Sequence, residues 1–548
     1  MKEMKEKRKI VIIGGVAGGM SFANRYRRLN IDDEIIVFEK GPYVSFANCG
    51  LPYFMSGEIN SRSRLLVARE DDLVKRFNLI IRSNSEVTDI NPQKKIITYF
   101  KDGQSLEESY DKLVISTGAK PITPNIDGIN TIPHFVLRNI PHLDEIMKYI
   151  KEHNPKSVLI IGAGFIGLEV AENLVKKGLE VTIVEKAPQV LGPFDPEMAS
   201  FAEESLIKNS VKVFIDNEII KIDHNKVLLK NGEQLIIDFI IASIGVLPDT
   251  ELATKAGLKL GIKGGIVVDE RYCTSDPNIY AVGDAIIVKN QINNQDALIS
   301  LASPANRQGR QLADILSGLQ VTNRGSIGTA IVRVFDRTLA STGLNERQLK
   351  GQNYRVIHLQ ANDHAGYYPG ATLIDLKVIF DPDTEMILGA QAVGQNGVDK
   401  RIDIISTAIK AKMKVTDLQE LELTYAPPFS SAKDIVNLAG YVAQNVILGL
   451  SKTYQWYEVE KLKEEGTLFL DVRSELERLS HGYIEGSINI DISELYQRYH
   501  EIPKDRKIVA YCESGTRSYN AERILRAHGY DVYNLDGSYG IYGRMERK

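Results

Sequence analysis

Ser157-Val158-Leu159-Ile160-Ile161-Gly162-Ala163-Gly164-Phe165-Ile166-Gly167 is a short apolar run that ends in a complete G-x-G-x-x-G turn. The pattern predicts a strand over 157–161, a tight turn and a helix over 168–177, which Gly178 caps. A second apolar run, Val181-Thr182-Ile183-Val184, stops at Glu185. This is a βαβ unit with every part of a dinucleotide fingerprint in order. Gly162, Gly164 and Gly167 let the backbone approach a pyrophosphate at a helix N-terminus, and Glu185 reaches the ribose hydroxyls. A carboxylate at that place repels a 2′-phosphate, so NADH is expected over NADPH, with Lys186 next door able to soften the penalty.

The same grammar opens the chain. A strand over 9–13 meets Gly14-Gly15-Val16-Ala17-Gly18-Gly19, a helix over 20–29 follows, and a strand over 35–38 ends at Glu39. Gly14 and Gly19 fit the fingerprint, and Val16 stands where the middle glycine belongs. Ser116-Thr117-Gly118-Ala119 closes a later strand over 112–115, and Asn278-Ile279-Tyr280-Ala281-Val282-Gly283-Asp284 ends another in Gly-Asp. With the first loop, these stretches resemble the FAD-binding fingerprints of the two-dinucleotide-binding flavoprotein disulfide reductases over about 450 residues. The resemblance implies that Asp284 binds the ribityl chain of the flavin. It also implies that Thr117, Gly118 and Gly283 belong to the FAD site. Because Gly283-Asp284 returns to the first domain after the second fingerprint, the NAD(P)H domain interrupts the FAD domain.

Between the fingerprints lies Ser45-Phe46-Ala47-Asn48-Cys49-Gly50-Leu51-Pro52-Tyr53. Its cysteine is one of three in the chain, and the others are Cys273 and Cys512. We read Cys49 as a redox thiol facing a flavin, with NADH delivering hydride to the opposite face. No partner cysteine lies nearby. A disulfide at Cys49 must take its second sulfur from a substrate, or Cys49 must cycle through a sulfenic acid. Cys273 has no assigned role, and three cysteines without ligand spacing give no metal site.

Residues 331–335, 354–359, 372–380 and 387–393 read as strands, and 398–413 and about 431–449 as helices. Two loops stand out, His364-Ala365-Gly366-Tyr367-Tyr368-Pro369-Gly370 and Tyr425-Ala426-Pro427-Pro428-Phe429-Ser430-Ser431-Ala432-Lys433-Asp434. Together with S-F-A-N-C-G-L-P-Y they resemble the coenzyme A-disulfide reductases and coenzyme A-persulfide reductases. The resemblance implies a homodimer in which Tyr367 and Tyr425 of one subunit stand over the other's active cysteine and hydrogen-bond a departing thiolate or supply its proton, with Tyr368 as competitor to Tyr367. It implies coenzyme A as substrate, its phosphates met by Arg25, Arg28, Arg76 and Lys433 and its arm by Ser45, Asn48 and Asn306.

After Gly449-Leu450-Ser451 a new alternation begins at Trp456. Leu468-Phe469-Leu470 leads to Asp471-Val472-Arg473, and Ile508-Val509-Ala510-Tyr511 leads to Cys512-Glu513-Ser514-Gly515-Thr516-Arg517-Ser518 and a helix. This resembles a rhodanese domain over about 90 residues. A cysteine at a strand-to-helix turn sits among backbone N–H groups at the positive end of a helix dipole, which lowers its pKa and stabilises an anionic persulfide. Arg517 adds charge and orients an anionic donor. A related phosphatase loop is typically one residue longer, so the six residues from Cys512 to Arg517 favour sulfur.

At 548 residues the chain needs several cores. Its 43% hydrophobic and 25% charged composition is that of a globular protein, and a net charge of -4 gives no electrostatic case for nucleic acid. Sparse cysteines, a polar N-terminus and no long apolar run lead us to expect a cytoplasmic protein with no membrane partner. The expected architecture is α/β: an FAD domain (1–125 and 255–328), an NAD(P)H domain (126–254), an α+β dimerisation domain (329–450) and a C-terminal rhodanese domain (451–548). The expected activity is NAD(P)H-dependent reduction of coenzyme A persulfide, polysulfide and coenzyme A disulfide through a Cys49–coenzyme A mixed disulfide, with Cys512 carrying sulfane sulfur. The alternatives are an NADH oxidase or peroxidase with a Cys49 sulfenic acid, and a sulfur carrier or redox sensor with little turnover.

Overall fold

A computed structural model describes residues 7–547. The chain forms two compact units. One comprises the chain up to Pro188 together with Asn209–Gly328, and the other Gln189–Lys208 together with the chain from Thr329 onward.

The first unit holds two parallel five-stranded sheets. In the first, the strands lie in the order Ile279–Ala281, Lys112–Ile115, Lys9–Ile13, Glu34–Phe38, Ile80–Arg82. Ile10, Val11 and Ile12 are fully buried, as expected of a strand covered on both faces. Each such side chain contributes about 1.5–3 kcal/mol of transfer free energy. The helix Ala17–Leu29 packs on the helix Ala302–Leu316 at unusually close range. A Cβ at Gly309 would lie 2.2 Å from the Gly18 carbonyl oxygen, so only glycine permits this approach. The second sheet runs Lys212–Phe214, Glu180–Val184, Ser157–Ile161, Phe239–Ala242, His134–Val136. The chain passes outward through Ala119–Pro121 and returns through Val246–Pro248, which pair antiparallel side by side. That pair marks where the chain leaves the first sheet and returns toward it.

The second unit contains an antiparallel sheet ordered Ala330–Val334, Arg337–Gly343, Ile387–Gly394, Leu373–Phe380, Arg355–Asn362, with the helices Val398–Ala411 and Ile435–Ile447. The strand Arg337–Gly343 escaped sequence reading because R-T-L-A-S-T-G lacks an apolar alternation. A parallel sheet follows, ordered Thr453–Tyr454, Val532–Leu535, Ile508–Tyr511, Leu468–Asp471, Ile488–Asn489. One stretch departs from the expected domain boundaries. Gln189–Lys208, with the helix Pro196–Lys208, lies inside the expected 126–254 segment but packs in the second unit. Its buried Asp195 and Glu197 meet the buried ammonium of Lys377, with 2.9 Å between Lys377 and Asp195. No helix among the described residues is long and apolar enough to cross a membrane.

Candidate active sites

The two fingerprints fold into near copies of one another. Gly14 and Gly162 hold φ of +102° and +99°, which side chains rarely adopt. A Cβ at Gly19 would lie 2.0 Å from the Gly14 oxygen, and one at Gly167 would lie 2.2 Å from the Gly162 oxygen. These glycines let each helix start against its own turn. Glu39 accepts from the Gly15 and Gly41 amides at 2.9 and 2.8 Å, and Glu185 accepts from Ala163 and Ala187 at 2.7 and 2.8 Å. Burial raises the pKa of Glu39, and these amide bonds oppose the rise.

The middle positions differ for a local reason. Val16 sits at φ −111°, so its place in the turn does not require the positive φ that favours glycine. A Cβ at Gly164 would meet nothing within 4 Å, leaving open space over the turn for a phosphate. Two glycine turns complete the sites. Gly118 (φ +72°) follows Thr117, whose hydroxyl donates to the Asp249 carbonyl at 2.5 Å. Its counterpart, Ser243-Ile244-Gly245, was not read from sequence, although its S-x-G repeats Ser116-Thr117-Gly118. The Gly283 amide donates to Gln308 at 2.7 Å, and Asp284 is paired with Arg138 at 3.0 Å. Open space at the second turn and a carboxylate at the end of the second strand of each unit fit two dinucleotides.

Cys49 lies in a short 3₁₀ turn, Asn48–Gly50, just before the helix Leu51–Ser56, and is exposed. Desolvation by its surroundings raises its pKa. Glu169 and Asp284 push in the same direction, while Arg138 opposes them. Arg138 is therefore the cation that favours thiolate at Cys49, and its backbone carbonyl accepts from the Asn48 side-chain Nδ2 at 3.2 Å. Sequence reading missed Arg138, which carries no motif. Ser45 holds the turn in an unusual φ of +51°.

Arg25, Arg28 and Asn306 come together in a groove of about 420 Å³ between the two close-packed helices. Arg307 and Arg310 share it and were missed, although the spacing from Asn306 puts all three residues near one helix face. Arg25 is committed in part to Asp314 at 2.6 Å, and Arg28 lies over the Phe77 ring at 5.0 Å. Arg76 is exposed on the helix Glu70–Phe77 and does not line this groove. Lys433 is exposed and belongs to the second unit.

In that unit the two tyrosine loops meet. The hydroxyls of Tyr367 and Tyr425 lie 2.9 Å apart and both rings are exposed, whereas Tyr368 turns its edge to His364. Their mutual hydrogen bond raises the Tyr367 phenol pKa. Behind the loops stands Arg401, 1% exposed, which donates to the Asp363 carbonyl at 2.6 Å and to the Asp434 carboxylate at 2.7 Å. The first tyrosine loop starts at Asp363 and the second ends at Asp434. One guanidinium thus anchors both loops.

Cys512 is buried at the head of the helix Thr516–Ala527. Its sulfur accepts from the Gly515 amide at 3.1 Å and the Ser518 hydroxyl at 3.5 Å. Burial raises the thiol pKa, but hydrogen bonds from the Ser518 side chain and the Ser518, Gly515 and Ser514 amides outweigh it, and the net shift is downward. Arg517 forms a two-point pair with Glu477 at 2.7 and 2.8 Å, and it stays partly exposed and interacts with the Cys512 side chain. The D-V-R motif has a structural role. Arg473, fully buried, grips Asp471 at 2.8 and 3.0 Å and the Glu513 side chain of the cysteine loop at 3.0 Å. The Cys273 thiol donates to the Asp276 carbonyl at 3.5 Å.

The cradle makes a prediction. Sulfur transfer at Cys512 rises with pH through a midpoint below the ~8.5 of a free thiol. Ser518→Ala moves that midpoint upward. An unchanged pH profile would remove the hydroxyl as a cause.

Comparison with known proteins agrees with this geometry. Residues 8–309 match the family described as pyridine nucleotide-disulphide oxidoreductase, residues 329–435 match its dimerisation domain, and residues 455–542 match a rhodanese-like domain. The chain belongs to the FAD- and NAD(P)-dependent pyridine nucleotide-disulphide oxidoreductases, and it carries a C-terminal rhodanese domain. A coenzyme A disulfide reductase of Staphylococcus haemolyticus is 37% identical over 80% of this chain and all of its own length. The reduced Bacillus anthracis protein termed CoADR-RHD superposes with a TM-score of 0.98 at 48% identity, covering 100% of this chain and 99% of the other. A NAD-dependent persulfide reductase from A. fulgidus gives a TM-score of 0.92 at 37% identity, covering 97% and 100%.

Proposed function

We propose that this enzyme uses NADH to reduce coenzyme A persulfide, polysulfide and coenzyme A disulfide, and that its rhodanese domain carries sulfane sulfur on Cys512. One observation carries the reading. A single exposed thiol at a dinucleotide site shares a chain with a second thiol whose cradle lowers its pKa. The relatives named above point the same way. The oxidase reading leaves the rhodanese cradle and the four-arginine groove without a purpose.

The residues divide the work. Glu39, Thr117, Gly118 and Asp284 would hold FAD, and Gly162, Gly164, Gly167 and Glu185 would hold NADH. When bound, the flavin supplies the route by which two electrons from nicotinamide reach the Cys49 sulfur. Arg25, Arg28, Arg307 and Arg310 receive the phosphates of coenzyme A. Cys49 thiolate attacks the coenzyme A sulfur of the persulfide, the S–S bond breaks and hydrosulfide leaves. A Cys49–S–S–coenzyme A disulfide remains. Two electrons and one proton then restore Cys49 thiolate and release coenzyme A thiol. In a homodimer built through residues 329–435, the Tyr367–Tyr425 pair of one subunit gives that proton at the other's site. Coenzyme A disulfide follows the same course, with a thiol as the leaving group. We place the enzyme in the cytoplasm.

NADH preference follows from Glu185, whose carboxylate faces the ribose, and from Lys186, whose ammonium is drawn to Glu218 at 2.8 Å. The test is anaerobic oxidation of NADH and NADPH with coenzyme A persulfide while sulfide is recorded. We expect one sulfide per NADH, and a kcat/KM for NADH roughly tenfold or more above that for NADPH, since an uncompensated like-charge contact costs over 1 kcal/mol. Oxidation only in the presence of oxygen, without sulfide, would replace this reading with an oxidase.

A further inference from the structure

The back of the Cys512 loop is a turn built by Asp536-Gly537-Ser538-Tyr539-Gly540. The Ser538 hydroxyl accepts from the Cys512 amide at 3.1 Å and lies 3.8 Å from its sulfur. The Tyr539 and Gly540 amides donate to the carbonyls of Cys512 and Glu513 at 3.0 and 2.9 Å. Gly537 and Ser538 hold φ of +67° and +52°, and a serine there is strained unless its neighbours fix it.

The Ser538 hydroxyl also meets Ser518 at 3.2 Å and the Leu535 carbonyl at 3.3 Å, and a further support comes from outside the rhodanese domain. The backbone amide and Nδ1 of His358, on the strand Arg355–Asn362, reach the two Asp536 carboxylate oxygens at 3.1 and 2.7 Å. Gln455 donates to the same carboxylate at 3.1 Å. Nε2 of His358 reaches Glu197 at 3.2 Å, on the helix Pro196–Lys208. A Cβ on Gly537 would come within 3.2 Å of the His358 Cβ, so the histidine lies directly against the turn. With a carboxylate on each ring nitrogen both nitrogens must donate, which makes the ring an imidazolium. Burial works against that charge, but Asp536 and Glu197 push the pKa up to about 9.

We propose that His358, a residue of the dimerisation sheet, is a positioning residue for the sulfur site of the rhodanese domain: it grips Asp536 and so fixes Ser538 and the cradle around Cys512. The inference rests on the reading that Cys512 carries sulfur. It makes the rhodanese site dependent on a docked dimerisation sheet.

The test uses the full-length holoenzyme with thiosulfate as donor and cyanide as acceptor. Cys512 thiolate takes the outer sulfur of thiosulfate and releases sulfite. Cyanide then takes that sulfur as thiocyanate and restores the thiolate. His358→Leu is expected to lower kcat roughly tenfold or more, as small displacements of reacting groups do, with little change in KM for thiosulfate. It should raise the pH midpoint for alkylation of Cys512, followed by peptide mass spectrometry. NADH-driven reduction of coenzyme A disulfide should stay at the wild-type rate. His358→Asn, which keeps a donor near Nδ1, should recover much of the loss. Ser538→Ala, a minimal change, should reproduce the His358→Leu phenotype even if that variant folds poorly. Wild-type transfer rates in Ser538→Ala, or a parallel loss of NADH-driven activity in His358→Leu, would overturn the proposal. Wild-type enzyme without Cys512-dependent transfer would instead overturn the sulfur-carrier reading beneath it.

Discussion

Cys49→Ser is expected to lower NADH-driven reduction of coenzyme A disulfide and persulfide by on the order of 10³-fold or more, because removing a covalent nucleophile removes the step itself. The side chain differs by one atom at an exposed position, so folding and flavin binding should be untouched. Thiosulfate–cyanide transfer through Cys512 should continue at the wild-type rate. That split is the informative part. The two thiols occupy opposite electrostatic settings, Cys49 with its pKa raised by desolvation and Cys512 with its pKa lowered by its cradle. Steady-state NADH consumption and thiocyanate formation, measured on the same preparation, check it. Retained NADH-driven reduction in Cys49→Ser would mean that the electrons leave by another route.

The second large effect belongs to Arg401. Arg401→Met leaves Asp434, itself 1% exposed, as an unpaired buried carboxylate. Breaking such a pair costs about 3–5 kcal/mol. The chain has several domains, so the loss should appear as an early calorimetric transition of the second unit and not as one global shift. Turnover should fall as well, since Arg401 is bonded to both loops that carry Tyr367 and Tyr425. The double variant Arg401→Met/Asp434→Leu should recover part of the stability, because replacing a buried pair with apolar groups is far milder than halving it. Recovery of stability without recovery of turnover would separate the loop-anchoring role from the packing role. A calorimetric trace unchanged in Arg401→Met would contradict the burial argument.

Much of this molecule could be read from sequence because its chemistry depends on local patterns. Glycine turns, the carboxylates Glu39 and Glu185, and the Cys512 loop are each specified within a few residues of one strand end. What escaped reading is held by partners far apart in the chain. Arg138 meets Asp284 across 146 positions, and Arg401 meets Asp434 across 33. A charged residue in such a pair looks in sequence like any surface residue. Arg517 stands between the two cases: the loop pattern names it, but its partner Glu477 lies 40 positions earlier. The stretch Gln189–Lys208 was assigned by chain order to the nucleotide half, and only the buried contacts of Asp195 and Glu197 with Lys377 reveal where it packs. Asp195 and Glu197 of this stretch, together with Glu346, all bond the Lys377 ammonium.

The most direct measurement is the mass of the oxidised holoenzyme after anaerobic incubation with coenzyme A disulfide and no NADH. The account predicts one coenzyme A per subunit, on the peptide that contains Cys49, released as free thiol when NADH is added. A Cys49 that stays unmodified, or carries only added oxygen, while coenzyme A is absent from its peptide would contradict it.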